Sequence, residues 1–387
     1  MRPLLAPVLA VTLLAVAACS GGDVADPDSL GTPSASPQPD TQPDTRTATL
    51  SPEASDAAGP PRVVRTVASG LAVPWGVTFL PDGTALVGER DSTRVVAVSG
   101  GAGGAESSVR EVGSVEIASP QGEAGLLGLA ASPTYSRDRM VYAYVSTSDD
   151  NRVVRMRYDG ERLGEPEPVL TGIPNGFNHD GGRLLFDDDD NLFVSTGETG
   201  EEELAQDVSS LGGKILHITR EGDPAPDNPK AGSPVWTWGH RNVQGLAFDD
   251  DGRLWATEFG ANAWDELNLI EKSRNYGWPI VEGEGDLEEY RNPFVTWSTA
   301  EASPSGLAFL NGSLWAGALR GERLWQVPVT EDGVGEPKGW FVGAYGRIRS
   351  VQVAPNGNLW VTTSNRDGRG TPVSEDDRIL EIQVPGG

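Results

Sequence analysis

Short alternating runs of apolar residues, each followed by a polar turn and a second apolar run, recur six times along the chain. The six segments are GVTFLPDGTALVGE from Gly76, GLAASPTYSRDRMVYAYV from Gly128, RLLFDDDDNLFVST from Arg183, GLAFDDDGRLWATE from Gly245, GLAFLNGSLWAGA from Gly306 and SVQVAPNGNLWVTT from Ser350. Alternation with a period of two predicts β-strands, and the intervening turn predicts a hairpin. No segment carries a long apolar stripe at helical spacing, which argues against an α/β barrel.

The starts of successive segments lie 44 to 62 residues apart. We interpret each segment as the two inner strands of a four-stranded unit, and six such units predict an all-β, six-bladed β-propeller. A large β-sandwich or a β-helix is the alternative. The acidic clusters Asp187 to Asp190 and Asp249 to Asp251 fall at the turn between two runs, so we expect solvated hairpin turns there rather than calcium loops.

The beginning of the chain lacks the repeat and has the features of an export signal. It reads MRPLLAPVLAVTLLAVAACSGG, with one arginine, an apolar run from Leu4 to Ala18 and small residues before Cys19. The run is short for a membrane span. Residues 16–19 are similar to a bacterial lipobox, which predicts a signal peptide over 1–19 and an exported protein that Cys19 anchors to a membrane of the cell envelope through a lipid. A plain secretory signal is the alternative.

Composition divides the rest of the chain into two parts. Residues 20–61 are rich in Pro, Ser, Thr, Asp and Ala, which predicts a disordered linker, and residues 62–387 form the predicted propeller domain. Cys19 is the only cysteine, so an intramolecular disulfide is excluded. The formal net charge of −26 argues against a nucleic acid partner.

Polar side chains flank the predicted inner strands, and the loops at one end of a propeller converge on its channel. These side chains are Glu123, His179, Arg241, Asn242, Gln244, Arg320, Arg347 and Arg349. Arginines suit a ligand with several carboxylates, and we expect Arg241 to face the other three from the opposite side; pairing of each arginine with a nearby acid is the alternative. His179 is a candidate proton acceptor, whereas His217 and His240 are expected to be structural.

Seven stretches together resemble the soluble pyrroloquinoline quinone (PQQ) dependent glucose/sorbosone dehydrogenase family, especially its aldose sugar dehydrogenase branch. They run in family order from about residue 65 to 385: VPWGVTFLPDGTALVGER, GEAGLLGLAASP, NHDGGRLLF, WGHRNVQGLAF, WDELNLIEKSRNYGWP, PSGLAFLNGSLWAGALRGERL and GRIRSVQVAPNGNLWV. GHRNVQG followed by DELNLIEKSRNYGWP is the most specific part of this resemblance, because GLAF with a later DG occurs in many propellers.

The resemblance implies a propeller that holds PQQ and Ca²⁺ in its channel. It makes His179 the base that takes the proton from the anomeric hydroxyl of the sugar while hydride passes to the C5 carbonyl of PQQ. The residues it places around PQQ are Glu123, Arg241, Asn242, Gln244, Arg320, Arg347 and Arg349. It assigns the carbonyls of Gly260 and Ala261 to the calcium at PQQ, and Glu266 with the Tyr276 carbonyl to a second, structural calcium. Glu198 then orients His179 or contacts substrate.

Four positions depart from the glucose-specific members of that family. Glu123 stands where they have Gln, Asn178 where they have Asp, Arg320 where they have Lys and Ala261 where they have Pro. A carboxylate near anionic PQQ weakens binding unless a cation or a proton compensates. The loops that serve dimerisation and tight glucose recognition look short here, which favours the broad-specificity aldose branch and a monomer.

The sequence therefore predicts a lipid-anchored quinoprotein that oxidises aldoses at C1 to lactones and passes electrons to an external acceptor. A non-catalytic propeller that binds carbohydrate or a protein partner is the main alternative. A calcium-dependent lactonase propeller is a third possibility, but several carboxylates at the channel centre would suit it better than arginines do.

Overall fold

The computed structural model describes residues 59–99 and 107–386. The predicted signal peptide, its Cys19 and nearly all of the predicted linker lie outside the described residues. Within these residues the strands form six antiparallel sheets. The described part of the chain contains no helix that is long and apolar enough to cross a membrane. Its helical segments are α1 (Tyr135–Asp138) and one 3₁₀ turn (Glu202–Ala205).

The first three blades each contain four consecutive strands. Blade 1 consists of β2 (Pro74–Phe79), β3 (Ala85–Glu89), β4 (Arg94–Ser99) and β5 (Ser108–Ser114). Blade 2 consists of β6 (Leu126–Ala131), β7 (Met140–Ser146), β8 (Asn151–Arg157) and β9 (Glu167–Ile173). Blade 3 consists of β10 (Leu184–Phe186), β11 (Leu192–Ser195), β12 (Lys214–Ile218) and β13 (Val235–Trp238).

Blade 4 keeps this plan, whereas blades 5 and 6 vary it at their outer edges. Blade 4 consists of β14 (Val243–Phe248), β15 (Leu254–Glu258), β16 (Trp264–Ile270) and β17 (Val295–Ser298). Blade 5 consists of β18 (Pro304–Leu310), β19 (Ser313–Ala318), β20 (Arg323–Thr330), β21 (Gly333–Val334) and β22 (Lys338–Trp340). Blade 6 consists of β23 (Ile348–Val353), β24 (Leu359–Thr363), β25 (Ile379–Gln383) and, at its outer edge, β1 (Arg62–Ala68).

The innermost strands form a closed ring. β2, β6, β10, β14, β18 and β23 contact one another in that order, and β23 contacts β2. Pairing of β1 with β25 joins the start of the described chain to its last strand, with Arg62 opposite Gln383 and Ala68 opposite Ile379. The predicted six-bladed β-propeller is therefore confirmed, and each of the six repeat segments forms the first two strands of its blade.

Four of the six repeat segments begin with a glycine, and the packing of the inner strands explains why a residue without a side chain stands there. A Cβ added to Gly128 would lie 2.2 Å from the carbonyl oxygen of Gly182, and one added to Gly245 would lie 2.4 Å from that of Ser305. Backbones of neighbouring inner strands therefore approach more closely than any Cβ allows. This close approach narrows the ring around the channel.

Antiparallel strands in sequence order direct alternate loops to opposite ends of the molecule. The hairpins between first and second strands lie at one end, and they contain both acidic clusters. There, Asp187 Oδ1 accepts the amides of Asp189 and Asn191 at 3.0 and 2.7 Å, as in an ordinary turn. Loops that enter a blade and loops between its second and third strands lie at the other end, which we call the channel end.

Candidate active site

The positions of the predicted channel residues follow from the loops and strand ends on which they lie. Glu123, His179 and Arg241 lie on loops that enter blades 2, 3 and 4, and Arg320 lies on the loop between β19 and β20. Asn242, Gln244, Arg347 and Arg349 lie at or beside the start of an inner strand. All of them therefore lie at or near the channel end.

His179 is held by a buried carboxylate. Its Nδ1 is hydrogen-bonded to Oε1 of Glu198, which lies on the loop between β11 and β12. The second oxygen of Glu198 accepts the amide of Gly200 at 2.8 Å. An ionised carboxylate requires a proton on Nδ1 of a neutral imidazole, so Nε2 is the nitrogen left free to act as a base. Backbone strain accompanies this arrangement, because His179 has φ of +58°.

Glu123 supports the same histidine from a different blade. Its Oε2 accepts the main-chain amide of His179 at 3.2 Å, and its Oε1 accepts Nη1 of Arg369 at 2.6 Å. Burial would raise the pKa of Glu123, but the bonds from Arg369 and the His179 amide outweigh it and lower that pKa. Glu123 is thus kept ionised beside the histidine.

Arg241 and Asn242 present donors that no described residue satisfies. Asn242 is fully buried; its Oδ1 accepts the amide of Gly181 at 3.0 Å, while its Nδ2 has no hydrogen-bond partner among the described residues. Nε of Arg241 is likewise buried without a partner in that part of the chain. Because buried donors without partners are costly, this pair is suited to an acceptor-rich ligand.

Two further arginines meet deep in the channel over Trp75. Cζ of Arg183 lies 4.3 Å and that of Arg349 lies 6.0 Å from the centre of the Trp75 ring. Burial and the neighbouring positive charge lower the pKa of Arg183 to about 9. Burial, followed by the charge of Arg90, lowers the pKa of Arg349 to about 9. Both therefore remain cations at neutral pH in a place that penalises unpaired charge.

Gln244 and Asp367 fix the orientation of these cations. Oε1 of Gln244 accepts Oγ of Ser305 at 2.8 Å and Nη1 of Arg349 at 3.3 Å. Asp367 forms ion pairs with Arg347 at 3.0 Å and with Arg349 at 3.5 Å. Burial would raise the pKa of Asp367, but the two guanidinium groups outweigh it and lower that pKa. Asp367 thus pairs one negative charge with two guanidinium groups, so a net positive charge remains to attract a ligand.

Arg320 is the exception among the predicted cations. It is exposed, and it forms no ion pair and no side-chain hydrogen bond with the described residues.

The expectation that Arg241 faces the other arginines from the opposite side is wrong. Arg241 lies on the loop that enters blade 4, and the other three predicted arginines lie on blades 5 and 6, so the four predicted cations come from three consecutive blades.

The predicted calcium ligands fall into two groups. The Gly260 carbonyl lies beside the channel, where it accepts Nη1 of Arg241 at 2.7 Å. Glu266 is buried directly across from Glu258 in the pairing of β15 and β16, and its Oε2 accepts Nδ2 of Asn268 at 2.9 Å. Burial, together with the charge of Glu258, raises the pKa of Glu266 to about 8.

Tyr276 is linked to this pair of acids indirectly. Its ring stacks on His240 with centres 4.6 Å apart, and Nδ1 of His240 lies 2.8 Å from Oε2 of Glu258. Within the described residues, no group of three or more histidine, cysteine or acidic side chains is arranged to hold a metal ion. Main-chain carbonyls are the principal ligands expected at Gly260 and Ala261, and such a site needs no acidic cluster.

Several residues of the site were not predicted from the sequence. Arg90, Asp367 and Arg369 lie on loops between second and third strands, and Arg183 begins a repeat segment. The signal that could identify them is positional, because the second strand of four blades ends in, or is followed by, a short run with polar residues: GER at 88–90, TGE at 196–198, EFG at 258–260 and SNRD at 364–367.

Comparisons with known proteins agree with this geometry. The family model described as Glucose / Sorbosone dehydrogenase matches residues 71–373. A PQQ-bound aldose sugar dehydrogenase from Streptomyces coelicolor is 51% identical and has a TM-score of 0.80, with 84% of this chain and 98% of that chain covered. Aldose sugar dehydrogenase YliI from Escherichia coli is 29% identical, with 80% of this chain and 92% of the relative covered. An uncharacterized Synechocystis protein, slr1608, is 32% identical, with 78% and 84% covered.

The fold and the His179–Glu198 pair among arginines define a propeller of the dehydrogenase class. The chain belongs to the glucose/sorbosone dehydrogenase family. The predicted family and the predicted enzyme class, an oxidoreductase, are confirmed, in preference to a non-catalytic propeller.

Proposed function

We propose that the protein is a PQQ- and calcium-dependent aldose sugar dehydrogenase that oxidises the sugar at C1 to a lactone and passes electrons to an external acceptor. The observation that carries the proposal is the buried, partly unsatisfied donor set of Arg241 and Asn242 beside the His179–Glu198 pair. The PQQ-bound relative from Streptomyces coelicolor supports the identity of the cofactor.

The donor set fits PQQ, a rigid acceptor with several carboxylates and two quinone oxygens. Arg241, Asn242, Arg347 and Arg349 would hold it through charge-assisted hydrogen bonds, and Gln244 would keep Arg349 in place. Arg320, which is exposed, would reach it from the mouth of the channel. The buried ring of Trp75, against Arg183 and Arg349, would keep water from the deep side of this cradle.

His179 would act as the base. Glu198 holds Nδ1, so Nε2 is oriented to take the proton of the anomeric hydroxyl, and the same carboxylate stabilises the imidazolium that results. When bound, PQQ supplies a two-electron acceptor for the hydride that leaves C1. Glu123, which Arg369 helps to keep ionised, accepts the His179 amide and would hold the histidine loop in place close to the cofactor.

Calcium is proposed at two places. The carbonyls of Gly260 and Ala261 would bind the ion at the cofactor, where a hard cation polarises a quinone oxygen. Glu266, with Glu258 and Asn268 beside it, and the Tyr276 carbonyl would serve a structural ion. Two buried carboxylates side by side favour a divalent cation, because each otherwise penalises ionisation of the other.

The test is reduction of an artificial dye by purified protein with glucose and other aldoses, before and after addition of PQQ and Ca²⁺. We expect activity only with both additions, a lactone as first product, and loss of turnover in His179→Ala. Protein that neither binds PQQ nor becomes active would refute the proposal. Retention of full turnover by His179→Ala would refute only the assignment of the base.

Export and anchoring belong to the same proposal. Residues 1–19 have the composition of a lipoprotein signal, and a lipid on Cys19 would place the propeller at a membrane surface of the cell envelope. Growth with labelled fatty acid is expected to label the wild type and not Cys19→Ala. A wild-type chain that acquires no label would leave a plain secretory signal as the better interpretation. Gel filtration of the purified propeller tests the expected monomer.

A further inference from the structure

Five consecutive amide groups, in the loop between β15 and β16 and the first residue of β16, all donate to carboxylates. The amides of Ala261, Asn262, Ala263 and Trp264 all donate to Oε1 of Glu282, at 2.7, 2.9, 3.1 and 3.2 Å. The amide of Gly260 donates to Oδ1 of Asp265 at 2.9 Å. Two carboxylates therefore hold every amide from residue 260 to 264.

Amides that converge on one anion leave the adjoining carbonyls directed elsewhere, as in an anion-binding nest. Here the carbonyls of Phe259 and Gly260 accept Nη1 of Arg241, at 3.2 and 2.7 Å. The loop thus presents its amides to Glu282 and its carbonyls to the cationic side of the channel. Gly260 is required at this turn, because a Cβ there would lie 1.8 Å from the carbonyl oxygen of Trp264 and 2.8 Å from Oε1 of Glu282.

Glu282 belongs to a segment that lies outside the repeat. Residues 271–294 connect β16 to β17, and the same segment contributes Trp278, whose ring centre lies 5.3 Å from Cζ of Arg241. The segment therefore fixes the loop through the four amides that Glu282 accepts, and it contacts Arg241 through Trp278.

We propose that Glu282 is a positioning residue that orients the carbonyls of Gly260 and Ala261 for cation binding at the cofactor. The inference rests on the proposed function, since it concerns the loop that would hold calcium against PQQ. Glu282 itself touches neither substrate nor cofactor in this arrangement. Its effect passes through the backbone of residues 260–264.

The experiment compares Glu282→Ala with Glu282→Gln and a matched control. Glu284→Ala is the control, because Glu284 lies two residues away, is exposed and makes no side-chain hydrogen bond within the described residues. Hydrogen exchange of amides 261–264 in protein without metal or cofactor is expected to accelerate at least roughly tenfold in Glu282→Ala and to stay unchanged in the control. Glu282→Gln, which keeps one amide-accepting oxygen, is expected to fall between them.

Calcium-dependent PQQ binding, followed by fluorescence, is the second measurement. We expect Glu282→Ala to bind PQQ roughly 10- to 100-fold more weakly at fixed Ca²⁺, while the control binds as the wild type does. If the wild type binds PQQ but Glu282→Ala shows wild-type amide exchange or wild-type affinity for PQQ, the role of Glu282 is refuted and the proposed function is not. If Glu282→Ala fails to fold, Glu282→Gln gives the same two readouts. A wild type that binds no PQQ would overturn the proposed function and, with it, the role of Glu282 toward the cofactor.

Discussion

Arg369 donates a 2.6 Å hydrogen bond to Glu123 across the channel end, although the two residues are 246 positions apart in sequence. Arg369 lies on the loop between β24 and β25 of blade 6, and Glu123 lies on the loop that enters blade 2. The other oxygen of Glu123 accepts the amide of His179. Loops of blades 6, 2 and 3 are therefore joined at the proposed base.

Removal of this cation in Arg369→Gln is expected to lower kcat about two- to fivefold, the effect of a partly exposed ion pair. Arg369 lowers the pKa of Glu123, so its loss raises that pKa and moves the acid limb of the kcat profile to higher pH. The measurement is kcat against pH with saturating sugar and dye. Arg366→Gln is the control, because Arg366 is exposed on the same loop and binds the Asp376 carbonyl instead. An acid limb at the same pH in Arg369→Gln and the wild type would contradict the proposal that Arg369 keeps Glu123 ionised for catalysis.

Glu198→Gln tests the orientation of the base. Glu198 accepts Nδ1 of His179 with one oxygen and the Gly200 amide with the other, and a glutamine has a single oxygen for these two donors. We expect kcat to fall roughly 10- to 100-fold with little change in KM, because binding of the sugar does not require the imidazole tautomer. The exposed neighbour Glu202, changed to Gln, supplies the control. A change confined to KM would assign Glu198 to substrate binding instead.

The sequence identified the parts of the site that adjoin its repeats and missed the parts that depend on ring closure. Asn242 and Arg349 flank a repeated strand, so their approach to the channel follows from the fold. The contact of Glu123 with Arg369 forms only when blade 6 meets blades 1 and 2 around the ring. The loops between second and third strands differ in length, so their shared position after a strand does not show which of their side chains meet. Glu282 lies in the long segment between β16 and β17, outside the repeat, so the repeat pattern does not place it. The assignments to PQQ and calcium came from family resemblance and remain predictions.

Calcium is expected to stabilise the propeller through Glu266. In cofactor-free protein, Ca²⁺ should raise the melting temperature by several degrees, since an ion that binds only the folded state shifts unfolding by mass action. Glu266→Gln should lose that increase and raise the melting temperature of the metal-free protein, because it removes one of two adjacent buried acids. Scanning calorimetry with EGTA and then Ca²⁺ measures both effects. Glu288→Gln, an exposed change, should behave as the wild type, and an equal calcium response in Glu266→Gln would rule out this site.

Asp180, beside the proposed base, gives a prediction for stability against pH. Its Oδ1 accepts Nδ2 of Asn151 at 2.9 Å and the Gly176 amide at 3.1 Å, while its Oδ2 is buried without a partner among the described residues. Burial raises the pKa of Asp180 from its ordinary value of 3.8 to about 7. The folded state therefore holds this proton more tightly than the unfolded state does. Its contribution to stability is full below about pH 4 and is lost as the pH rises to about 7.

Asp180→Asn removes the ionisation and keeps an oxygen for both donors. We expect the free energy of unfolding of the wild type to fall relative to that of the variant between about pH 4 and 7, by at most about 1.4 kcal/mol for each pH unit. Above that window the variant should be the more stable protein by a constant amount. Urea denaturation across the window measures the difference, and Asp188→Asn, an exposed change in a hairpin turn, corrects for the loss of one surface charge. Parallel curves for the wild type and Asp180→Asn would show that Asp180 stays ionised, with its second oxygen satisfied by a partner such as water.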